Sequence, residues 1–291
     1  MRTLRYVQLF SAERTRLADF FNILLELVVR QTHEVLYVMT LIMPDTKPAL
    51  VRDLRRLFGE DKVKSDVSSL AAYAVDASIY RLMPQAVVLV DTEEDIARVV
   101  RYAQQHGVPL TPRAAGTNLT GSAIGEGVIV DVSRMNRILE VNREERWVRV
   151  QPGTVYAELN RRLAKDHLLF GPDPSSGEMC KLGGMLANNS AGPHTLRYGS
   201  VKDNVLSVRL CLPSGGWVDA ESMPVGSTRA ATVLASHPSI RHVLTLVQDH
   251  AATIRAKKPT VSKNSSGYNL FGLVDGLDQG VIDLPKLFIG S

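Results

Sequence analysis

The sequence predicts an α+β fold with mixed sheets. In residues 86–111, two apolar runs of strand length flank an amphipathic helix, which predicts a strand–helix–strand unit. Two later segments, 138–153 and 205–220, instead predict hairpins, because each places two apolar arms around a short polar turn. Strands therefore occur both around helices and as hairpins, which favours a mixed α+β arrangement over a purely parallel, doubly wound sheet.

The composition is that of a globular chain that can bury a real core. Of the 291 residues, 45% are hydrophobic and 22% are charged, which suits one large domain or two smaller ones. The formal net charge is only +4, from 34 basic and 30 acidic residues. Because lysines and arginines are not clustered with interleaved aromatic residues, the sequence argues against a nucleic-acid partner.

The two cysteines, Cys180 and Cys211, predict no disulfide framework. Neither has a second cysteine at CxxC spacing, so no metal site is predicted. Free thiols are typical of a reducing cytoplasm, which is the predicted location.

Residues 1–43 predict a helical extension of unassigned role. Two apolar runs, 20–29 and 35–43, are separated by RQTHE (30–34), so neither reaches the roughly 20 residues of a transmembrane helix. The order of charged and apolar residues also differs from that of a signal peptide. Three interpretations stay open: helices that pack or associate, attachment to the surface of the inner membrane, and a mis-assigned start of the reading frame.

The first element after this extension is a short helix within residues 43–63. It follows a proline-marked boundary, and Leu50, Leu54, Leu57 and Phe58 fall on one of its faces.

The strand–helix–strand unit has strands at 86–90 and 108–111 around a helix at 91–107. Thr92 is the predicted N-cap, and the three acidic residues that follow it suit the positive end of the helix dipole. Gly107 is the predicted stop of the helix.

The rest of the chain predicts strands, hairpins and helices in turn. They are a strand at 127–133, a hairpin at 138–153, a helix at 154–167 capped by Thr154, a hairpin at 205–220, a helix within 239–256 and a terminal strand at 286–291. Because a domain rarely stops on a strand, we expect the fold to be incomplete or to be completed by another chain.

The loop PRAAGTN, residues 112–118, is the first candidate binding segment. The small residues Ala114, Ala115 and Gly116 let backbone approach a ligand closely, and consecutive N–H groups in such a bend can converge on an anion. Neither GxGxxG nor the P-loop motif is present. The loop alone fits an ordinary turn or a pyrophosphate cradle, and Arg113 fits phosphate contact or loop closure.

Residues 171–208 are the second candidate segment, and they are dense in Gly, Pro, Ser and Asn. A loop of this length inside a domain is usually functional, although a purely structural turn-rich loop is the alternative. Glycines lie beside polar side chains that can bond a heteroaromatic ring or a phosphate. These residues are Gly183, Gly184, Asn188, Asn189 and Ser190.

The other polar candidates predict no catalytic site, so the catalytic residues stay unassigned. His194, His237 and His242 have no carboxylate or second histidine at metal-ligand spacing, and they are expected at the surface or in the core. No serine lies in a GxSxG motif, which argues against a serine hydrolase. Tyr268 is expected to pack or to donate to a ligand.

Several motifs occur in a fixed order along the chain. They are PRAAGTNLTG, QPGTVYAELNRRL, GPDPSS, LGGMLANNSAGPHTLRYG, DNVLSVRLCLPSGG, GYNL and LFIGS. This ordered set resembles the FAD-binding flavoprotein oxidoreductases related to p-cresol methylhydroxylase (PCMH) and vanillyl alcohol oxidase, which include D-lactate, glycolate and D-2-hydroxyglutarate dehydrogenases. The resemblance runs from about Pro84 to the C terminus and leaves residues 1–43 outside.

The resemblance implies a PCMH-type fold of two α+β subdomains with FAD as the cofactor. The implied cofactor-binding residues are Pro112, Arg113, Ala114, Ala115, Gly116, Thr117, Asn118, Pro174, Ser175, Ser176, Cys180, Lys181, Gly183, Gly184, Asn188, Asn189, Ser190, Ala191 and Gly192. Relatives that bond the flavin covalently often have a histidine where Thr117 stands, so FAD is expected to be noncovalent. In the family, the flavin accepts a hydride from the substrate.

The chain also departs from the family pattern. Relatives continue past IGS with EGTLG and a substrate cap that carries catalytic residues, whereas this chain stops at Ser291. We therefore expect an extension at 1–43 and an incomplete FAD-binding domain at 44–291, with subdomains at about 44–133 and about 134–291. A second chain that supplies the cap is a candidate partner.

Three hypotheses about function follow. The first is oxidation of a small 2-hydroxy acid, such as D-lactate, glycolate or D-2-hydroxyglutarate, by hydride transfer to FAD. The second is a truncated or split subunit that binds FAD or a partner chain without turnover. The third, a reductase of the UDP-N-acetylenolpyruvoylglucosamine type, shares the fold, but the LGGMLANNSAG and RYG motifs favour the first.

Overall fold

The computed structural model describes residues 48–261 and 267–290, and the predicted helical extension lies outside them. The described chain opens with helix α1 (Pro48–Phe58) and helix α2 (Val67–Tyr73). Leu50, Leu54 and Phe58 of α1 are buried, which confirms the predicted apolar face at these three positions.

The first sheet has four strands in the order β1-β2-β4-β3. The strands are β1 (Val63–Lys64), β2 (Ala86–Leu89), β3 (Leu110–Arg113) and β4 (Val128–Asp131). β1 runs antiparallel to β2, whereas β4 is parallel to both β2 and β3. The parallel register places Leu89, Asp131 and Arg113 side by side at one edge, the carboxyl edge where ligands bind in open α/β sheets.

Helices cover both faces of this sheet. On one face α1 and α3 (Glu93–His106) pack against Val88 and Val130. On the other face Leu70 of α2 packs against Val87 and Ile129. All residues of β2 and β4 are buried, as expected for strands covered on both sides.

The caps of α3 confirm the prediction. The Thr92 hydroxyl accepts a hydrogen bond from the Asp95 N–H at 3.1 Å. Gly107 ends the helix in the left-handed region, with φ +62°. Thr92 and Gly107 therefore fix the connection from β2 to β3, and with it the start of the loop at 114–118.

A buried ion pair ties α3 to the chain before β1. The Lys62 ammonium donates to Asp95 at 2.9 Å, and the Asp95 side chain is only 9% exposed. Burial alone would raise the pKa of Asp95, but the hydrogen bond from Lys62 and nearby donors hold this pKa below its usual value. The carboxylate therefore stabilises the fold above about pH 4, and this contribution is lost as the pH falls further.

We expect Lys62→Met to lower the free energy of unfolding by roughly 1–3 kcal/mol at pH 7, because it leaves the buried Asp95 carboxylate without its charged partner. The difference from wild type should shrink as the pH falls from 5 to 2, since Asp95 becomes protonated in both proteins. Urea unfolding across this range measures both effects. Lys64→Met, at a β1 lysine, is the control, and equal losses in both variants would contradict the assignment.

The predicted first hairpin is confirmed as β5 (Ile138–Asn142) and β6 (Trp147–Val150), which pair antiparallel. The helix that follows, α4 (Tyr156–Ala164), corrects the prediction that Thr154 is its N-cap. Val155 occupies the cap position, and the buried Thr154 hydroxyl instead donates to the Arg137 carbonyl at 3.3 Å. The hydroxyl thus links the start of α4 to the hairpin rather than to its own helix.

Three short helices lie within the predicted binding segment, and a hairpin begins at its end. They are α5 (Leu182–Ala187), α6 (Thr195–Tyr198), the 3₁₀ helix Val201–Asp203, β7 (Ser207–Cys211) and β8 (Trp217–Pro224). β7 and β8 form the predicted second hairpin, and a third strand, β9 (Val281–Asp283), adds to β8. The described residues between β8 and β9 form four helices: α7 (Thr228–Ser236), α8 (Pro238–Asp249), α9 (Ala251–Ala256) and α10 (Leu270–Asp278).

The predicted terminal strand at 286–291 is wrong. Residues Leu284–Phe288 form helix α11, and the strand β9 precedes it. Asp283 caps the helix by accepting a hydrogen bond from the Lys286 N–H at 3.2 Å, and Pro285 suits its first turn. Leu284 and Leu287 are both buried, which is the three-residue spacing of a helical face.

Candidate functional site

The predicted anion loop lies at the carboxyl edge of the first sheet. Pro112 and Arg113 are the last residues of β3, and residues 114–118 leave the sheet directly after them. Gly116 adopts φ +68°, a conformation that favours glycine. The loop is half-buried, so it is accessible to a ligand without being a fully solvated turn.

The backbone amides of this loop are its main functional feature. Within the described part of the chain, none of the five consecutive N–H groups of residues 114–118 donates to a protein acceptor. Partly buried amides are normally paired, so five successive unpaired donors mark a place where an external acceptor fits. A run of free N–H groups around a left-handed glycine is the composition of an anion-binding nest.

Arg113 closes the loop. One guanidinium nitrogen, Nη1, donates to three backbone carbonyls, those of Tyr73, Val75 and Ala123, at 2.8–3.3 Å. The guanidinium also lies over the Tyr73 ring, 5.1 Å from its centre. Of the two predicted roles for Arg113, the hydrogen bonds of Nη1 therefore favour loop closure over phosphate contact.

Tyr73 in turn joins this edge of the sheet. Its hydroxyl donates to a carboxylate oxygen of the buried Asp131 at 2.5 Å. Burial, with this hydrogen bond and the negative charge of Asp131, raises the pKa of Tyr73, so the hydroxyl stays a donor at neutral pH. Arg113, Tyr73 and Asp131 thus form a connected set of contacts at the base of the loop.

Asn118 turns its side chain into the loop. Its amide oxygen accepts hydrogen bonds from the N–H groups of Thr120 and Ser122, at 3.1 and 2.9 Å. Its amide nitrogen donates to Asp76 at 2.8 Å. Asn118 therefore fixes the shape of the loop through its side chain, while its backbone N–H stays unpaired with the rest.

The second predicted segment meets the first at α5. A side chain at Gly184 would lie in ordinary contact with the Ala114 methyl group, at 3.8 Å. Gly183 faces the other way, and a methyl group there would lie 2.8 Å from Pro152. Gly184 therefore borders the anion loop, whereas Gly183 is a glycine because the Pro152 turn packs against it.

The second segment satisfies most of its own amides. Asn188, Asn189 and Ser190 donate their N–H groups to carbonyls of α5, and Gly192 donates to the Thr195 hydroxyl. Among residues 174–192, the N–H groups that have no acceptor in the described chain are scattered and at most two are consecutive: Ser175, Ser176, Glu178, Lys181, Gly184 and Ala191. The first loop thus has the longer run of free amides, whereas most amides of the second segment are paired.

Two predicted site residues point into the protein instead. The Cys180 thiol is buried in an apolar cluster with Leu159 and Met185, and burial raises its pKa. Asn189 is buried, and its side-chain oxygen accepts a hydrogen bond from the Lys202 N–H at 2.9 Å. Both side chains thus make structural contacts, and Asn189 also contributes to the lining of a pocket.

The remaining predicted residues of this region lie at its surface or in its turns. Pro174 and Ser176 accept backbone hydrogen bonds that fold residues 174–180 into a turn. Ser175 is exposed, and Lys181 precedes α5.

Gly192 is a point of very close packing. A methyl group at this position would lie 1.9 Å from the Asp173 carbonyl oxygen. The Asp173 carboxylate also accepts from the His194 N–H at 3.2 Å and contacts the His194 ring nitrogen Nδ1 at 2.5 Å. His194 is an exposed histidine, as predicted, but it has a carboxylate partner 21 residues upstream, a spacing that no metal-ligand motif would reveal.

Comparison with known proteins gives this geometry a family. The model of the family described as "FAD binding domain" matches residues 84–221. Residues 84–221 are an FAD binding domain. The matched range contains the free amides at 114–118 and the whole second segment at 171–208.

The relatives extend this match along the chain. The D-2-hydroxyglutarate dehydrogenase of Pantoea ananatis is 36% identical over 227 residues, which is 75% of this chain and 22% of that protein. This chain thus spans less than a quarter of the length of that relative. A solved structure of alkyldihydroxyacetonephosphate synthase is 28% identical, with a TM-score of 0.56 over 62% of this chain and 37% of the other.

The fold is the predicted PCMH-type α+β fold. A structure of p-cresol methylhydroxylase superimposes with a TM-score of 0.51 at 21% identity, covering 59% of this chain and 35% of the other. At this identity the likeness concerns the fold alone.

The FAD binding domain also borders a pocket of about 230 Å³. Its lining includes Asn189 and Lys202 from the second segment, and Asn269 and Gly290 from the end of the described chain. The Gly290 N–H donates to the Leu186 carbonyl of α5 at 3.0 Å. The residues after α11 therefore contact the second segment.

Residues 48–261 and 267–290 offer neither a cluster of metal ligands nor a helix that could span a membrane. They contain no group of three or more His, Cys, Asp or Glu residues placed to hold a metal ion. No helix in these ranges is long and apolar enough to cross a membrane.

Sequence patterns alone missed the residues that shape the loop from outside. Asp76 and Tyr73 contact it from a segment about 40 residues earlier. The tripeptide DAS at 76–78 has the composition of an Asx turn, and the Asp76 carboxylate does accept from the Ser78 N–H. It gave no indication of the distant loop that Asp76 holds.

Proposed function

We propose that this FAD binding domain holds FAD noncovalently and serves an enzyme that oxidises a small 2-hydroxy acid. In this proposal the pyrophosphate of FAD accepts hydrogen bonds from the backbone amides of residues 114–118. The five unpaired N–H groups around Gly116 carry this part of the proposal, because they fit an anionic group and lack a protein acceptor in the described chain.

The neighbouring residues suit a dinucleotide. Ala114 and Gly184 leave room for backbone to approach the ligand, and Arg113 fixes the loop without occupying it. Thr117 stands where covalent relatives carry a histidine, so the proposed attachment is through hydrogen bonds only. When bound, FAD supplies the two-electron acceptor for oxidation of an alcohol carbon, and these residues bind and orient it.

The substrate class rests on relatives. The Pantoea ananatis protein is named a D-2-hydroxyglutarate dehydrogenase, and it is 36% identical to this chain. D-2-hydroxyglutarate is therefore our first candidate, and D-lactate and glycolate are the next. We further propose a cytoplasmic location, with the substrate-binding surface completed by a second chain or by further sequence.

The purified chain, reconstituted with FAD, is expected to absorb near 450 nm and to release intact FAD on acid precipitation. When the second chain or further sequence that completes the substrate-binding surface is also present, addition of D-2-hydroxyglutarate should bleach this absorbance, and a redox dye should be reduced. Succinate, which lacks the hydroxyl group, is the matched control substrate. Bound FAD that no 2-hydroxy acid reduces would contradict the proposed activity and favour the non-catalytic subunit, whereas FAD that stays covalently attached after acid would contradict the noncovalent site.

A further inference from the structure

The segment between α2 and β2 forms a clamp on the anion loop. The Ala77 N–H donates to the Gly116 carbonyl at 3.1 Å, at the centre of the loop. Arg113 reaches back to the Val75 carbonyl of the same segment at 2.8 Å. The loop is therefore held at Gly116 and at Arg113 by residues that lie between β1 and β2.

Asp76 is the hub of this clamp. One carboxylate oxygen accepts from the Ser78 N–H at 2.9 Å, which anchors Asp76 within its own turn. The other oxygen accepts from the Asn118 side chain at 2.8 Å and from the Ala123 N–H at 3.4 Å. One carboxylate thus joins the first and the last residues of the turn at 118–123.

We infer that Asp76 is a positioning residue for FAD, which holds the amides of residues 114–118 in the arrangement that receives the pyrophosphate. This inference rests on the proposed binding of pyrophosphate by that loop. Asp76 lies before the residues 84–221 that match the family model. It accepts no hydrogen bond from the backbone N–H groups of residues 114–118. It acts on the cofactor only through Asn118 and Ala123.

The chemistry of the clamp requires a carboxylate. All three groups that face Asp76 are donors, so an acceptor-only side chain satisfies each of them. An asparagine would have to turn its own NH₂ group towards one of these donors. Burial alone would raise the pKa of Asp76, but the bonds from Ser78, Asn118 and Ala123 lower it, so the carboxylate is ionised at neutral pH.

The donors also explain why a negative charge is tolerated beside an anion site. Asp76 accepts three hydrogen bonds, from donors in the loop and in its own turn, and these bonds stabilise its negative charge. The free amides of 114–118 are not among these donors, so they remain available to the ligand. Asp76 therefore shapes the site without competing for it.

The test compares Asp76→Asn with Asp66→Asn in the full chain, with FAD affinity measured by flavin fluorescence. Asp66 is the matched control, because it also accepts from a backbone N–H and a hydroxyl, those of Ser69 and Ser68, but it caps α2 instead of holding the loop. We expect Asp76→Asn to raise the Kd for FAD by roughly 10- to 100-fold, the effect of losing one or two charge-assisted hydrogen bonds. Asp66→Asn should change it less than about twofold.

Hydrogen exchange of the FAD-free chain gives a second readout. In Asp76→Asn, the amides of Thr120, Ser122 and Ala123 should exchange faster, whereas Asp66→Asn should leave them unchanged. Asn118→Ala removes the same 2.8 Å contact from the other side and should also raise the Kd, which keeps the test decisive if Asp76→Asn does not fold.

Three outcomes would overturn the inference. If Asp76→Asn and the wild type have equal Kd values for FAD, Asp76 does not position the cofactor. If Asp66→Asn loses as much FAD affinity as Asp76→Asn, the effect of Asp76 is one on overall stability only. If the wild-type chain does not bind FAD, both the proposed pyrophosphate site at residues 114–118 and the positioning role of Asp76 are wrong. Failure to oxidise a 2-hydroxy acid with FAD bound would leave Asp76 unaffected, so the two proposals fail separately.

Discussion

Gly116→Asp is expected to raise the Kd for FAD at least about 100-fold and to yield a colourless protein on purification. A hundredfold loss corresponds to about 2.7 kcal/mol. A carboxylate within about 4 Å of a phosphate charge costs on the order of 4 kcal/mol at an effective dielectric constant near 20. The new side chain would also begin 2.7 Å from the Arg113 guanidinium, and Arg113 would have to move.

Two controls separate charge from backbone strain. Gly116→Asn places a side chain of the same size at the same φ of +68°, so it carries the steric cost without the charge. Gly107→Asp places the same charged residue at φ +62° in the cap of α3, where no atom lies within 4 Å. We expect the Kd to rise less for Gly116→Asn than for Gly116→Asp, and to be unchanged for Gly107→Asp. Wild-type affinity in Gly116→Asp would contradict the cradle.

Gly192→Ala is expected to lower the free energy of unfolding by about 3 kcal/mol and to lower the yield of folded protein. The added methyl group would lie 1.9 Å from the Asp173 carbonyl, which is backbone and cannot rotate away. Relief requires the chain near Asp173 and His194 to separate from Gly192. Urea unfolding followed by circular dichroism measures the loss.

Gly184→Ala is the matched control for this change. Its methyl group would meet only the Ala114 side chain at 3.8 Å, an ordinary contact, and alanine favours the helical conformation of α5. We expect a change in unfolding free energy of less than about 1 kcal/mol. Equal destabilisation by both alanines would show that the contact between Gly192 and Asp173 does not set the stability of the segment.

Local signals in the sequence predicted the fold where the signal and the structure lie in the same stretch of chain. The α3 helix is the best case, because Thr92 and Gly107 cap it as their residue types predict. The prediction that Thr154 caps α4 failed because its hydroxyl instead donates a tertiary hydrogen bond to the Arg137 carbonyl. The run at 286–291 failed because an apolar stretch of this length suits a strand or a helix equally well, and Asp283 decides for the helix.

The sequence indicated the backbone character of the candidate loop at 114–118, but it did not indicate the contacts that support this loop. Small residues at 114–116 indicate a close approach of backbone, and the structure leaves their amides unpaired among the described residues. The contacts of Asp76 with Asn118 and of Asp173 with His194 join residues that are far apart in the chain, so no local motif encodes them. Cys180 shows the converse, since its place in a binding motif did not reveal that its side chain packs in the core.

Backbone amide resonances of the full chain, followed during a titration with FAD, test the central claim most directly. The account predicts that the amides of residues 114–118 shift together and become protected from exchange on saturation, while the self-paired amides of 188–190 change little. The account would be contradicted if FAD saturated the protein while the amides of 114–118 kept their free-state shifts and exchange rates.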